Sequence, residues 1–387
     1  MLARVVCLTA VVAALVVPQA GAADQLATLQ VPTGGFSVDL PTTWVGITSA
    51  VPSAIARLEK VPAFKSFAQS GALKLIATDP KTNGAVYMDT GAERIGAISL
   101  DALGKGTNAA IKKGLGKQAV VTLRKVTLQA GPAYVVHVTP RSVSGTNESD
   151  EYIILHDQVE YVLVYVAPTA SWKKYAPIFD QSAKSFRLLA GPNLSKFVLQ
   201  GSQIANGYKL AAYPGGSSFI GETTLDLCGG SYPSENLRTG RLQVSYAHPK
   251  KTVDISNEVV TYVSGGAQQA LAEVSKVAHT CSTKSVIQKR GVVTTTFHAT
   301  PVHDPKLPHG TVAVKLVIEQ TNGKKHVTQT GIAIYEVKGN TLSGVYTFAT
   351  KGTSFADVQR VAFHAAEQSA KNLGVGTKKS GGTGFTA

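Results

Sequence analysis

Tyr152-Ile-Ile-Leu-His-Asp-Gln-Val-Glu-Tyr-Val-Leu-Val-Tyr-Val166 reads as two strands joined across His156-Asp157-Gln158. The second strand, 161–166, has no polar face, because Tyr161, Leu163 and Tyr165 alternate with Val162, Val164 and Val166. A strand apolar on both sides must be covered by other layers, so it belongs in the middle of its sheet. The tight connection makes its neighbour antiparallel. The cover has to come from helices. That arrangement is a layered α/β sandwich of the α+β class, an antiparallel sheet flanked by helices.

Working outward, Phe36-Ser-Val-Asp-Leu-Pro-Thr-Thr-Trp44 opens as an alternating strand stopped by Pro41. Residues 73–77 and 85–89 read as two strands around the turn Asp79-Pro-Lys-Thr-Asn-Gly84. Leu100, Leu103, Ala110, Ile111 and Leu115 form the stripe of a helix that Gly104 and Gly106 weaken. Strands follow at 119–128 and 133–139 across Ala130-Gly131-Pro132. Tyr175, Ile178, Phe179, Ser182 and Phe186 mark a closing helix that starts at Ser171.

The same order of elements then recurs. After Gly191-Pro192-Asn193 the sequence predicts an edge-like strand at 208–213 and strands at 241–247 and 254–263. A helix over 265–280 follows, with Ala270, Leu271, Val274, Val277 and Ala278 on its face. Strands at 286–298, 311–319, 326–337 and 342–350 come next, with Asn322-Gly323 as a hairpin turn. Phe355, Val358, Val361, Ala362, Ala365, Ala366 and Ala370 line the last helix. The expected organisation is a leader at 1–23, tandem α/β sandwiches at 24–190 and 191–375, and a disordered tail at 376–387.

Two family resemblances attach to these patterns. The opening Phe36-x-Val38-x-Leu40-Pro41-x-x-Trp44, the long hairpins and the closing Tyr175…Phe179…Ser182…Ser185-Phe186 resemble PsbP-like domains and the related mycobacterial LpqN lipoproteins. This chain departs from the latter in having no lipobox. The second half resembles the extracellular sensor domain of the mycobacterial kinase PknH and its stand-alone relatives, on the early Cys228, the helix ending at Cys281 and the strand run closed by an Ala-rich helix. Here there is one cysteine pair. The first resemblance implies a binding or accessory module without a shared catalytic set, and the second a ligand sensor with a cleft.

The N-terminus addresses the chain outward. Arg4 is followed by an apolar run from 5 to 17 and by Ala20-Gly21-Ala22, the pattern of a cleaved secretory signal. The run is too short to span a bilayer comfortably, which takes roughly 20 residues; an uncleaved anchor is the alternative. Cleavage after Ala22 or Ala23 removes Cys7 and leaves Cys228 and Cys281. An even pair in an exported chain reads as a disulfide, against two buried free thiols.

The formal charge of +14 is shared between the halves, with 17 basic against 12 acidic residues in 27–190 and 18 against 11 in 191–375. The densest stretch is Lys112, Lys113 and Lys117 followed by Arg124 and Lys125. Cations in a last helical turn oppose the helix dipole. The other reading is a surface attractive to anionic envelope polymers or lipids. No basic groove with interleaved aromatics argues for nucleic acid.

No catalytic set emerges. His298, His303, Asp304 and His309 include sensible metal ligands, but their spacing among Pro301, Pro305 and Pro308 fits a loop with incidental histidines better. Gly104-x-Gly106 with Gly114-x-Gly116-Lys117 matches no phosphate loop, and there is no Gly-x-Ser-x-Gly. His156-Asp157 reads as a turn. The sequence therefore assigns no catalytic, cofactor or metal residue. It points to a non-catalytic, exported envelope protein that binds a small ligand or another envelope protein, the alternative being a secreted hydrolase without a recognisable motif.

Overall fold

The computed structural model describes residues 25–60, 65, 68–142, 147–211, 216–248, 253–283, 286–290, 293–304, 307, 310–323, 325–349 and 353–375. The expected leader, the tail and His309 lie outside the described residues. The chain divides into two compact units, Met1–Ala190 and Gly191–Ala387. Each is an antiparallel sheet with helices packed on it. No helix of the described residues is long and apolar enough to cross a membrane.

The first unit runs β1 (Leu26–Val31), β2 (Phe36–Pro41), β3 (Val45–Thr48), α1 (Pro52–Leu58), β4 (Leu73–Thr78), β5 (Tyr87–Arg94) and α2 (Leu100–Leu115). It continues through β6 (Ala119–Leu128), β7 (Gly131–Pro140), β8 (Asn147–His156), β9 (Val159–Pro168), α3 (Trp172–Ser185) and β10 (Arg187–Leu188). The main sheet has the order β3-β4-β5-β9-β8-β7-β6, so the strand apolar on both faces is the fourth of seven. Its hairpin with β8 turns on Asp157 and Gln158, with φ of 48° and 65°, the left-handed pair that a two-residue turn of this hand requires.

On one face of this sheet, Leu103 and Ile111 of α2 pack on Val121, Tyr134, Val136 and Ile153. Gly104 is what lets α2 come close, because a Cβ there would lie 2.6 Å from the Tyr134 ring. The glycine that weakens the helix locally is therefore a packing residue. On the other face Phe179 of α3 sits 5.1 Å from the Tyr165 ring, and Phe36 and Phe186 close over Tyr161. The sequence reading missed β1, β3 and α1, and β2 proves to lie outside the main sheet, in a three-stranded one of order β1-β2-β10.

The second unit comprises β11 (Lys209–Ala211), β12 (Arg238–Ala247), β13 (Val253–Tyr262), α4 (Gly266–Thr283), β14 (Val286–Arg290) and β15 (Val293–Pro301). Then come β16 (Val312–Asn322), β17 (Lys325–Lys338), β18 (Thr341–Ala349) and α5 (Phe355–Leu373). The sheet order is β11-β12-β13-β18-β17-β16-β15-β14. Ala267, Ala270, Val274 and Ala278 of α4 pack on one face against Val260, Tyr335 and Leu342. Val358, Ala362 and Ala366 of α5 pack on the other, against Ile332 and Ile334. Ser354 caps the start of α5, and Gly374, with φ of 72°, ends it.

Two expectations are corrected here. The run 286–298 is not one strand but the hairpin β14–β15, in which Arg290 pairs with Val293. Gly291 in the sequence was the punctuation that the run of β-formers hid. Cys281 does not follow the helix but lies within its last turn. The Thr280 and Ser282 hydroxyls donate to the carbonyls of Lys276 and His279, holding that turn helical past the expected end.

Candidate functional site

The face of the second sheet that carries α4 continues sideways onto β12, β13 and β18. By register Gln243 lies opposite Glu258, Ser245 opposite Ser256, and Ser256 opposite Tyr346. Strand alternation sends Arg241, Gln243 and Ser245, Ser256 and Glu258, and Tyr346 and Phe348 to this one side. Gln243, Ser245, Ser256, Tyr346 and Phe348 are half-buried.

Two glycines shape the surface. A Cβ at Gly344 would come 2.5 Å from the Tyr346 hydroxyl, and one at Gly331 would come 2.5 Å from Cδ1 of Phe348. Both rings thus lie low over glycine, giving an aromatic floor beside a polar one. Gln243 Nε2 donates to Ser256 Oγ at 2.8 Å, and Ser245 Oγ donates to the same hydroxyl at 3.2 Å.

Beside this floor, on the same face, is a buried charge pair. Arg241 Nε donates to the Glu258 carboxylate, and Nη2 donates to Gln243 Oε1, which fixes the amide's orientation. The Arg241 Nη1 also reaches the carbonyls of Gly216 and Ser218, at 3.4 and 3.3 Å. Burial pushes the Glu258 carboxyl up, and the charge and hydrogen bond of Arg241 pull it back down. Next to it, Arg238 Nη1 donates to the Glu222 carbonyl at 2.6 Å, and the Glu235 carboxylate accepts from the backbone N–H groups of Thr224 and Leu225. The loop before β12 is thereby tied to the sheet by two arginines.

Cys228 and Cys281 are brought together and bridged, with a Cα–Cα distance of 6.4 Å. Cys228 sits in a short 3-10 turn at a φ of 53°, and both sulfurs lie in the core under α4. The bridge pins the last turn of α4 to the loop.

A second polar cluster belongs to the first unit. His137 on β7 is clamped by Asp150, 2.8 Å from Nδ1, and by Glu148, 3.1 Å from Nε2. The Thr139 hydroxyl is 2.8 Å from Nε2, and the Trp172 ring centroid is 5.5 Å from that of the imidazole. The bond to Asp150 and the charge of both carboxylates raise the His137 pKa, against burial and the distant Arg124. Burial raises Glu148. With carboxylates at both ring nitrogens, the clamp favours the protonated imidazole.

The residues weighed from sequence fall elsewhere. His298 is exposed on β15, and His303 and Asp304 follow that strand. Among the described residues no group of three His, Cys, Asp or Glu is placed to hold a metal ion. His156 ends β8 and Asp157 opens the hairpin turn, both exposed, with Nε2 and Oδ2 3.4 Å apart. Gly104, Gly106 and Gly114 are in α2. Sequence reading missed Arg241, Gln243, Ser256 and Glu258. Their signal was there as alternation, Arg241-x-Gln243-x-Ser245 and Ser256-x-Glu258, but polar alternation ordinarily marks a solvent face.

No family model matches the chain, and no curated protein matches it significantly. Solved structures similar to it include PsbP of Synechocystis sp. PCC 6803, at 13% identity over 44% of this chain and 97% of that one, with a TM-score of 0.30. The extracellular domain of PknH from Mycobacterium tuberculosis is similar at 12% identity over 47% of this chain and 97% of its own, with a TM-score of 0.32. The Saccharomyces cerevisiae Ran-binding protein Mog1p follows at 10% identity, 43% and 96% coverage and a TM-score of 0.29. The first two are the families that the sequence resembles.

Proposed function

We infer that the chain is an exported, non-catalytic binding protein of the cell envelope, sensor-like or accessory, built from modules at 24–190 and 191–375. Its ligand site is the Gln243–Ser256–Tyr346–Phe348 face. One observation carries this reading: neutral hydrogen-bonding groups stand beside half-buried aromatic rings on a rigid sheet. The ionised groups there, Arg241 and Glu258, are buried against each other. What the face offers a ligand is hydrogen bonding and stacking, the chemistry that suits a neutral, polyhydroxylated molecule with one apolar face. The leader pattern and the bridged cysteines support an oxidising compartment.

The test is a thermal-shift titration of the mature chain with trehalose, maltotriose and chitotriose. A ligand that binds only the folded form raises the melting temperature with its concentration. The reading expects one of these sugars to do so for the wild type, and Gln243→Ala and Phe348→Ala each to abolish the shift. A shift that both variants retain places the ligand elsewhere.

A further inference from the structure

The charge of the first unit is not spread over it. Residues 100–128, which are α2, the turn after it and β6, hold six basic residues and one acidic one, a balance of +5. The rest of 27–190 holds eleven of each sign, so this one helix and its neighbouring strand account for the whole excess. Lys105, Lys112, Lys113, Lys117, Arg124 and Lys125 are all exposed.

The lone acid offsets one of them, Lys125. Asp101 is already engaged by Lys125 at 3.3 Å and by the Tyr134 hydroxyl at 3.0 Å. Among the described residues no carboxylate lies within ion-pair distance of Lys105, Lys112, Lys113 or Lys117. The helix dipole accounts for cations in a last turn, hence for Lys112 and Lys113. It accounts neither for Lys105 in the second turn nor for Lys125 on a strand.

The fold leaves this surface available. β6 is the terminal strand of the seven-stranded sheet, and α2 covers that end of one face. The sixteen residues of α2 span about 24 Å, so the cations form a long band. None of the exposed large apolar side chains among the described residues belongs to α2. Val120 and Arg124 are exposed on β6 but alternate onto the sheet face opposite the helix, so neither belongs to this surface. An elongated cationic band without an apolar anchor suits a linear polyanion better than a bilayer, where stable attachment draws on buried apolar surface.

We propose that the exposed side of α2 together with β6 is a docking surface for a soluble, linear anionic polymer read by its charge. Its cations, Lys105, Lys112, Lys113, Lys117 and Lys125, are all lysines, which act as point charges and do not select one planar anion. This surface is independent of the ligand face in the second unit, and each can fail without the other.

The experiment measures binding of the mature full-length chain to polyphosphate and to polygalacturonate by fluorescence anisotropy. Both are expected to bind, and both to weaken as salt is raised. The variant K105Q/K112Q/K113Q/K117Q should lose affinity by about tenfold or more, the scale of electrostatic enhancement at a concentrated patch. A control removing four charges from the second unit, K196Q/K209Q/K276Q/K338Q, should change it little. Equal losses in the two variants would reduce the effect to net charge and overturn the proposal. Binding to phosphatidylglycerol vesicles with no binding to either polymer would overturn it too. Should the variant misfold, lysine acetylation of the wild type decides: polymer must protect Lys105, Lys112, Lys113 and Lys117, and unprotected lysines there contradict the surface.

Discussion

Arg241 and Glu258, from adjacent strands of the second sheet, form a charge pair whose side chains are only 2% and 5% exposed. The same guanidinium donates to the neighbouring Gln243 amide oxygen and holds the loop at Gly216 and Ser218. Desolvating two charges is costly, so such a pair is weak support for stability but strongly destabilising when half of it is removed.

Arg241→Met should therefore cost the second unit about 3–5 kcal/mol, because it strands the Glu258 carboxylate. The double variant Arg241→Met/Glu258→Leu should recover most of that loss. Urea unfolding of the three proteins gives the coupling directly. A double variant no more stable than the single one would deny that the cost is an unpaired charge.

Glu336 supplies a pH dependence. It is 2% exposed, neither carboxylate oxygen has a hydrogen-bond partner, and burial pushes its pKa from 4.5 to about 8. The folded form holds a proton that the unfolded chain releases. Its penalty is absent below pH 4.5, grows as pH rises and is complete above 8. Glu336→Met should thus flatten the stability profile and, at pH 8, stabilise the protein by about 2–4 kcal/mol on the linkage relation. Wild-type and variant profiles that run parallel from pH 5 to 8 would remove Glu336 as the cause.

Reducing the Cys228–Cys281 bridge releases a loop of 53 residues. The expected loss is about 2–4 kcal/mol, confined to the second unit. Thiol titration of the unfolded mature chain without reductant checks the premise, since two free thiols would show that no bridge forms.

Residues 24–190 should fold alone. The boundary at Ala190 and Gly191 separates two compact units, each with its own core. The isolated fragment is expected to unfold cooperatively, and a product with helical and strand signal but no cooperative transition would place the boundary elsewhere.

How far the fold could be read depended on whether period and punctuation agreed. They agreed in β9, where a two-sided apolar run bounded by a turn put the strand at the sheet's centre. They disagreed at 286–298, where β-branched residues continued past Gly291 and the hairpin was lost. The helix α2 was legible despite Gly104 and Gly106, although the close approach to Tyr134 that explains Gly104 is a tertiary fact. The site was least legible. Arg241, Gln243, Ser256 and Glu258 look like solvent-facing positions, and only the loop that returns over β12 buries the pair and leaves the amide and hydroxyls half-covered.

The most direct measurement is native mass spectrometry of the protein, purified without denaturant from its own culture, beside Gln243→Ala and Phe348→Ala. The account predicts a non-covalent adduct of a neutral hydroxylated molecule on the wild type, absent from both variants, with all three proteins folded. An adduct that persists in both variants, or one that maps to the isolated 24–190 fragment, would contradict it.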